Sequence, residues 1–265
     1  MLGPLRAPLD DLAASWRQHA SLSWTEHRPW PLSERPWIQG QTWVDLLFAH
    51  WRIDPKLLEP VIPPQLPLDV IDGSAWIGIT PFELRAMRAR FTAPVPFLSV
   101  FPELNVRTYV TVDGRPGIYF LSLDAASRLA VAAARRAYRL PYFRAEMSIE
   151  RDAGTIRYRH ERVDSPPAEL SAIYKPRGPI FNAAPDTLDA ALTERYCAYT
   201  LDDHGTVNRI EIHHRPWELR AVDADFDVNT MTEQVGVLLE GEPMLHYAPR
   251  QDVVIWPLEP LPRGG

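Results

Sequence analysis

The stretch RLPYFRAEM, residues 139–147, decides how the rest of the chain is read. Pro141 ends a helix, because the residue before a proline is driven out of the helical region, and an alternating strand starts directly after it. Tyr142, Arg144 and Glu146 point to one side of that strand, and Phe143, Ala145 and Met147 to the other. A phenol, a guanidinium and a carboxylate on one face either meet water or look into an enclosed polar pocket. For a single strand the solvated face is the ordinary outcome.

Working outward, the alanine-rich segment 124–140 is the longest helical candidate, and 142–163 makes a hairpin turning near Asp152-Ala153-Gly154. Asp72-Gly73 and Asp113-Gly114 each sit between apolar runs, the dipeptide of a tight hairpin turn, and His204-Gly205 marks a fourth reversal. Residues 41–53 read as a buried strand. Asp54 caps a short helix with Pro55 at its first position, a second short helix follows Asp186, and 243–258 supplies a closing strand. The segment 164–186, with five prolines, reads as irregular. The expected class is therefore mainly β (α+β): sequential antiparallel strands whose edges are buried by closing into a barrel, with a few peripheral helices. Residues 1–40 form a Trp- and Pro-rich arm, and 41–265 a single domain.

Composition narrows the function classes. A formal charge of -6 argues against a phosphate-backbone binder, so no nucleic-acid partner is expected. One cysteine, Cys197, leaves no intramolecular disulfide and no cysteine-based metal site. No apolar run approaches about 18 residues, and Asp10 and Asp11 stand where a signal peptide needs an apolar core. The expectation is a cytoplasmic protein without a membrane partner. His213 and His214 alternate to opposite sides of a strand, so no metal is expected. The glycines lack the strand-loop-helix setting of a phosphate cradle, so no cofactor is expected. Lysine occurs only at Lys56 and Lys175, which leaves two candidates for any amine nucleophile.

A second strand repeats the pattern of the first. In ELNVRTYVTV, residues 103–112, Glu103, Asn105, Arg107, Tyr109 and Thr111 share one face, opposite Leu104, Val106, Val110 and Val112. In a barrel wide enough to hold a small ligand, such groups would line the lumen.

The succession of DPKLLEPVIPPQL (54–66), FEL (82–84), FPELNVRTYV (101–110), the alanine-rich helix ending in LPYFRAEM (140–147), ERYCAY (194–199) and HHRPWEL (213–219) resembles the YqjF-like family. That family is an uncharacterised branch of the acetoacetate-decarboxylase-like superfamily. The resemblance runs from about residue 40 onward and implies a cone-shaped closed β-barrel with a central small-molecule cavity, commonly in homo-oligomers. In the decarboxylases the helix ends in Tyr-Pro followed by two lysines, one of which forms a Schiff base with the substrate ketone. Here Tyr142 and Phe143 follow Pro141, and a phenol cannot form an imine. Glu83 and Glu103 resemble two glutamates of the decarboxylase strands.

From these residues the expected site comprises Glu103, Glu83 and Tyr142 as acid-base groups, with Arg107, Tyr109, Arg144 and Lys175 binding the ligand. Each has a structural alternative: an Arg107-Glu103 ion pair, a capping or surface Glu83, a core Tyr142, a solvated Arg144. Lys175 lies on a segment that could cover the cavity mouth. The expected function is an acid-base enzyme acting on a small keto or carboxylate metabolite; the alternative is a non-catalytic small-ligand-binding barrel.

Overall fold

The turn at Asp113-Gly114, where both residues take positive φ (51° and 72°), joins β3 (Phe101–Val112) to β4 (Arg115–Ala125) and sets the register of the sheet that carries the site. The computed structural model describes residues 6–94 and 99–262; the ends of the expected arm and domain, 1–5 and 263–265, lie outside them. Before β3 come α1 (Arg6–Ala20), β1 (Gln39–Ile53), α2 (Pro55–Leu58) and β2 (Ala75–Ala89). After β4 come α3 (Arg128–Tyr138), β5 (Tyr142–Asp152), β6 (Thr155–Arg162), β7 (Glu169–Phe181), α4 (Leu188–Thr193), β8 (Cys197–Leu201), β9 (Val207–His213), β10 (Leu219–Asn229), β11 (Met244–Ile255) and β12 (Glu259–Pro260). The Asp54 side chain caps α2 by accepting from the Lys56 N–H, with Pro55 at the first position.

The strands are hydrogen-bonded in the order β12-β9-β8-β4-β3-β2-β1-β11-β10-β7-β6-β5, with further pairings β9–β11 and β4–β5. Five strands, β4-β3-β2-β1-β11, thus take part in two circuits. One returns through β9 and β8, the other through β10, β7, β6 and β5. The ring is less regular than expected. β4 meets both β5 and β8 in parallel, over three and two residue pairs, and β10 touches β11 at one pair, Arg220 and Tyr247. The sheet is mainly but not wholly antiparallel, and its closures are short.

The shared sheet buries both faces. Leu104, Val106 and Val110 of β3 pack with Tyr158, Leu170, Tyr174 and Val222 from the β5–β7 and β10 side. The polar face of β3 is turned away from them, into the smaller circuit. It does not meet bulk water.

Two strands depart from the sequence expectation. Residues 169–181 form β7 despite Pro176 and Pro179. The last β6 partner in β7 is Tyr174, so both prolines fall where one edge of the strand is unpaired, and a proline there sacrifices no ladder bond on that side. β10 had no counterpart in the sequence reading. Its residues alternate between a buried or half-buried set (Val222, Ala224, Phe226) and an exposed aspartate set (Asp223, Asp225, Asp227), a period-two signal of a strand.

Candidate active site

A cavity of about 300 Å³ lies inside the smaller circuit, at the lower end of the range for small-molecule sites. Its walls follow the register. Phe82 sits beside Glu103, Thr80 beside Asn105 and Gly78 beside Arg107. Leu123 flanks Asn105 and Phe120 flanks Arg107 from β4. At one end Ile38, Ala89 and Ala137 line the cavity and are exposed, which makes that end the mouth. Ala130, Ala134 and Ala137 of α3 form its roof there, spaced so that a helix presents them on one side. Going inward along β3, the wall presents Phe101, then Glu103, Asn105 and Arg107.

Glu103 is 4% exposed. The Tyr142 hydroxyl donates to its Oε1 at 3.2 Å, and the Asn105 side-chain amide, oriented with its nitrogen toward Glu103, donates to the same oxygen at 3.3 Å. The Tyr158 hydroxyl donates to the Glu103 backbone carbonyl at 2.8 Å and fixes the strand beneath it. Burial pushes the Glu103 carboxyl up to about 8; the hydrogen bonds from Tyr142 and Asn105 oppose this, and the charge of Asp124 adds to it. Burial first, and then the Glu103 charge, hold the Tyr142 phenol well above its ordinary range. Both groups therefore carry protons at neutral pH. With Oε1 accepting twice, Oε2 is left to hold the acid proton.

Arg107 lines the cavity and is 6% exposed. It does not pair with Glu103. Its one hydrogen bond is a long one, from Nη2 to the Leu192 carbonyl at 3.4 Å, and Nε has no partner among the described residues. The guanidinium leans toward Phe48 and Tyr109, 5.2 and 5.8 Å from their ring centres. It is accordingly absent from the causes that set the Glu103 carboxyl.

The other expected residues lie elsewhere. Tyr109 is fully buried behind Arg107, donating to the Leu192 carbonyl at 2.8 Å with its oxygen 2.6 Å from His50 Nε2; it closes the floor and is not part of the lining. Glu83 alternates to the outer face of β2, where it meets Arg85 and Arg151 at 2.9 and 3.1 Å. Arg144 is not a lining residue; it is the last β5 residue paired with β4, opposite Ala125, and its backbone N–H donates to Asp164 at 3.0 Å. Lys175 is an exposed residue of β7 opposite Asp223, not on a loop over the mouth. Lys56 is exposed on α2, so neither lysine reaches the cavity.

Residues that sequence reasoning missed come from the segment around β8 and β9. Thr193, Arg195, His214 and Trp217 all line the cavity. Arg195 is already committed, to Asp69 at 2.8 Å and to the Ala191 carbonyl at 2.6 Å. Burial lowers His214 to about 4, against the backbone hydrogen bonds it makes, so its imidazole is neutral. Thr193 ends α4, and Arg195 and Trp217 lie just outside strands, so no alternation pointed to them; His214, expected on a strand, stands one residue past the end of β9. Among the described residues no group of histidine, cysteine, aspartate and glutamate is placed to hold a metal ion, and no helix is long and apolar enough to cross a membrane.

A family model described as DUF2071, uncharacterized conserved protein, matches residues 40–252. The chain belongs to this family. It is 47% identical over 223 residues to the uncharacterized protein YqjF of Bacillus subtilis (strain 168), covering 84% of this chain and 92% of that protein. Among solved structures this DUF2071 protein is similar to the acetoacetate decarboxylase of Legionella pneumophila (12% identity, TM-score 0.57, 92% of this chain and 95% of that one). It is also similar to the enduracididine biosynthesis enzyme MppR complexed with pyruvate (12%, 0.61, 88% and 93%) and to an acetoacetate decarboxylase-like enzyme from Sphingomonas wittichii RW1 (12%, 0.58, 89% and 97%). At these identities the likeness is one of fold, and the fold is acetoacetate-decarboxylase-like.

Proposed function

We propose that this DUF2071 protein is an acid-base enzyme for a small carbonyl-bearing carboxylate, enclosed in a strand barrel, and that it works without an imine. The observation that carries this is Glu103: a carboxyl raised to about 8, in the wall of an apolar cavity, with its Oε1 held by Tyr142 and Asn105. A group with that proton affinity is matched to moving protons near neutral pH. Ionised Glu103 would take a proton from a carbon next to a carbonyl; the C–H pair shifts to the carbonyl oxygen as an enolate, and the protonated carboxyl returns a proton to carbon. Both lysines are exposed, which supports a route without a Schiff base. The named ligands of the structural neighbours, acetoacetate and pyruvate, fit the same substrate class.

The test is deuterium uptake by a panel of ketones and oxo acids in D2O, followed by proton NMR. At least one compound is expected to exchange, with a rate that climbs with pH to a plateau above about 8, and Glu103→Gln should slow it by about 100-fold or more. Tyr142→Phe removes a hydrogen bond that favours the ionised form, so the midpoint should move to higher pH. Borohydride with the same panel should give no adduct; a stable adduct on Lys175 would overturn the imine-free route. Binding without exchange, equal in wild type and Glu103→Gln, would favour the non-catalytic ligand-binding barrel.

A further inference from the structure

Five arginines are buried among the described residues: Arg28, Arg88, Arg107, Arg162 and Arg195. Four of them are fully occupied. Arg28 reaches Glu211 at 2.6 Å and the Ile212 carbonyl at 2.9 Å. Arg88 reaches Gln18 and the Ser15 carbonyl at 2.7 and 2.9 Å. Arg162 grips both oxygens of Asp124 at 2.6 and 2.8 Å, and Arg195 reaches Asp69. Arg88 has no ion pair, but all three of its nitrogens are hydrogen-bonded; Arg107 alone combines the absence of an ion pair with a single long hydrogen bond. Burying a charge without a partner is costly, so a guanidinium with five donors, nearly all free, at the inner end of a cavity is a receptor for an anion.

The opposite end is mainly apolar. Phe101, Leu84, Met87, Ile38 and Ala130, Ala134 and Ala137 of α3 line the mouth, with Gln39 beside Ala89 as its polar member, and Glu103 stands between the two regions. Along an extended strand the α-carbons of Glu103 and Arg107 lie about 13 Å apart. Gly78, opposite Arg107, adds no side chain to the inner end; a Cβ there would come within 3.0–3.3 Å of His50 and the Tyr109 hydroxyl.

We infer that the cavity takes an elongated, amphipathic monocarboxylate, inserted head first, with its carboxylate on Arg107 in a bidentate pair and its apolar chain running past Glu103 toward α3. This rests on reading the cavity as the ligand site, and it names the ligand class and two specificity-determining positions, Arg107 for the head and Ala134 for the tail. A two- or three-carbon oxo acid would fill the inner end and leave the apolar mouth empty.

The experiment is calorimetric titration of the full chain with straight-chain carboxylates from propanoate to decanoate, and with octanol and octylamine as head-group controls. In wild type, affinity should rise by about fourfold per added methylene until the mouth is filled, and octanoate should bind about tenfold or more tighter than octanol. Arg107→Met should bring octanoate level with octanol, and Ala134→Trp should bring octanoate level with propanoate while sparing the short acid. Equal wild-type affinity for octanol and octanoate, or a flat chain-length series, overturns the inference without depending on any variant folding. Retained carboxylate preference in Arg107→Met, with a wild-type-like circular dichroism spectrum, overturns it as well. The proton-transfer reading is judged separately. Glu103→Gln should keep the carboxylate and chain-length preferences, so failure of exchange leaves the ligand class standing, and failure of these titrations leaves Glu103 chemistry standing.

Discussion

Glu103 makes stability depend on pH with a definite sign. The unfolded chain releases this proton near 4.5, while the folded protein holds it until about 8. Between those values the unfolded state binds fewer protons, so stability falls as pH rises, by up to about 1.4 kcal/mol per unit, and levels off above 8. Glutamine cannot ionise and removes that slope. Urea unfolding at pH 5, 7 and 9 should therefore show Glu103→Gln gaining on wild type with each step, and parallel profiles would mean the carboxyl is not desolvated. The sequence made Glu103 and Tyr142 legible because both follow from one alternation and one helix stop. Arg144 falls outside the lining because alternation tells which residues share a face, not how far along a strand the cavity extends. The alternative of an Arg107–Glu103 ion pair fails on geometry: four residues apart on an extended strand places two long side chains beyond contact unless they lean together, and here Arg107 leans toward Phe48 and Tyr109.

Turn dipeptides and helix caps are local, and they gave most of the elements. β7 is not legible locally, because whether a proline is compatible with a strand depends on whether that edge is paired, a property of the neighbouring strand. The closures of the ring are equally non-local, and the β4–β8 contact is the clearest case. It rests on two parallel pairs, Ile118 with Ala198 and Tyr119 with Tyr199, and on Gly117, over which the neighbouring side chains lie. A Cβ at Gly117 would come within 2.5 Å of the Tyr199 ring and 2.8 Å of Cys197 Sγ, too close for either to remain. Gly117→Ala should cost about 1–3 kcal/mol as overpacking and loosen β8. Cys197, fully buried with its thiol pushed up to about 11 by burial, reports this directly. A thiol reagent that is inert toward the folded wild type should label the variant in native buffer, and an unlabelled variant of wild-type stability would contradict the packing described here.

At the scale of the whole molecule, five strands serve two circuits, so the cavity side and the packed side must be tied through the shared sheet. The tie is ionic as well as apolar. Asp124 stands on β4 beside the cavity-lining Leu123 but faces the other way, and Arg162 of β6 holds it at both oxygens, with His160 Nε2 3.2 Å away. Burial pushes Asp124 up, but the hydrogen bonds and charges of His160 and Arg162 outweigh it and keep the carboxyl below its ordinary 3.8. Its contribution is therefore present above pH 3.8 and lost as the pH falls through the lower folded value. Arg162→Met leaves a buried carboxylate short of its main partner, and should cost about 3–5 kcal/mol at pH 7. The gap to wild type should narrow at pH 3, where Asp124 of the variant is already protonated. Because the shared strands belong to both circuits, the transition should remain single, with near- and far-ultraviolet circular dichroism moving together. A split transition would mean the packed side unfolds apart from the cavity side, and the Glu103 site would then owe its desolvation to the smaller circuit alone.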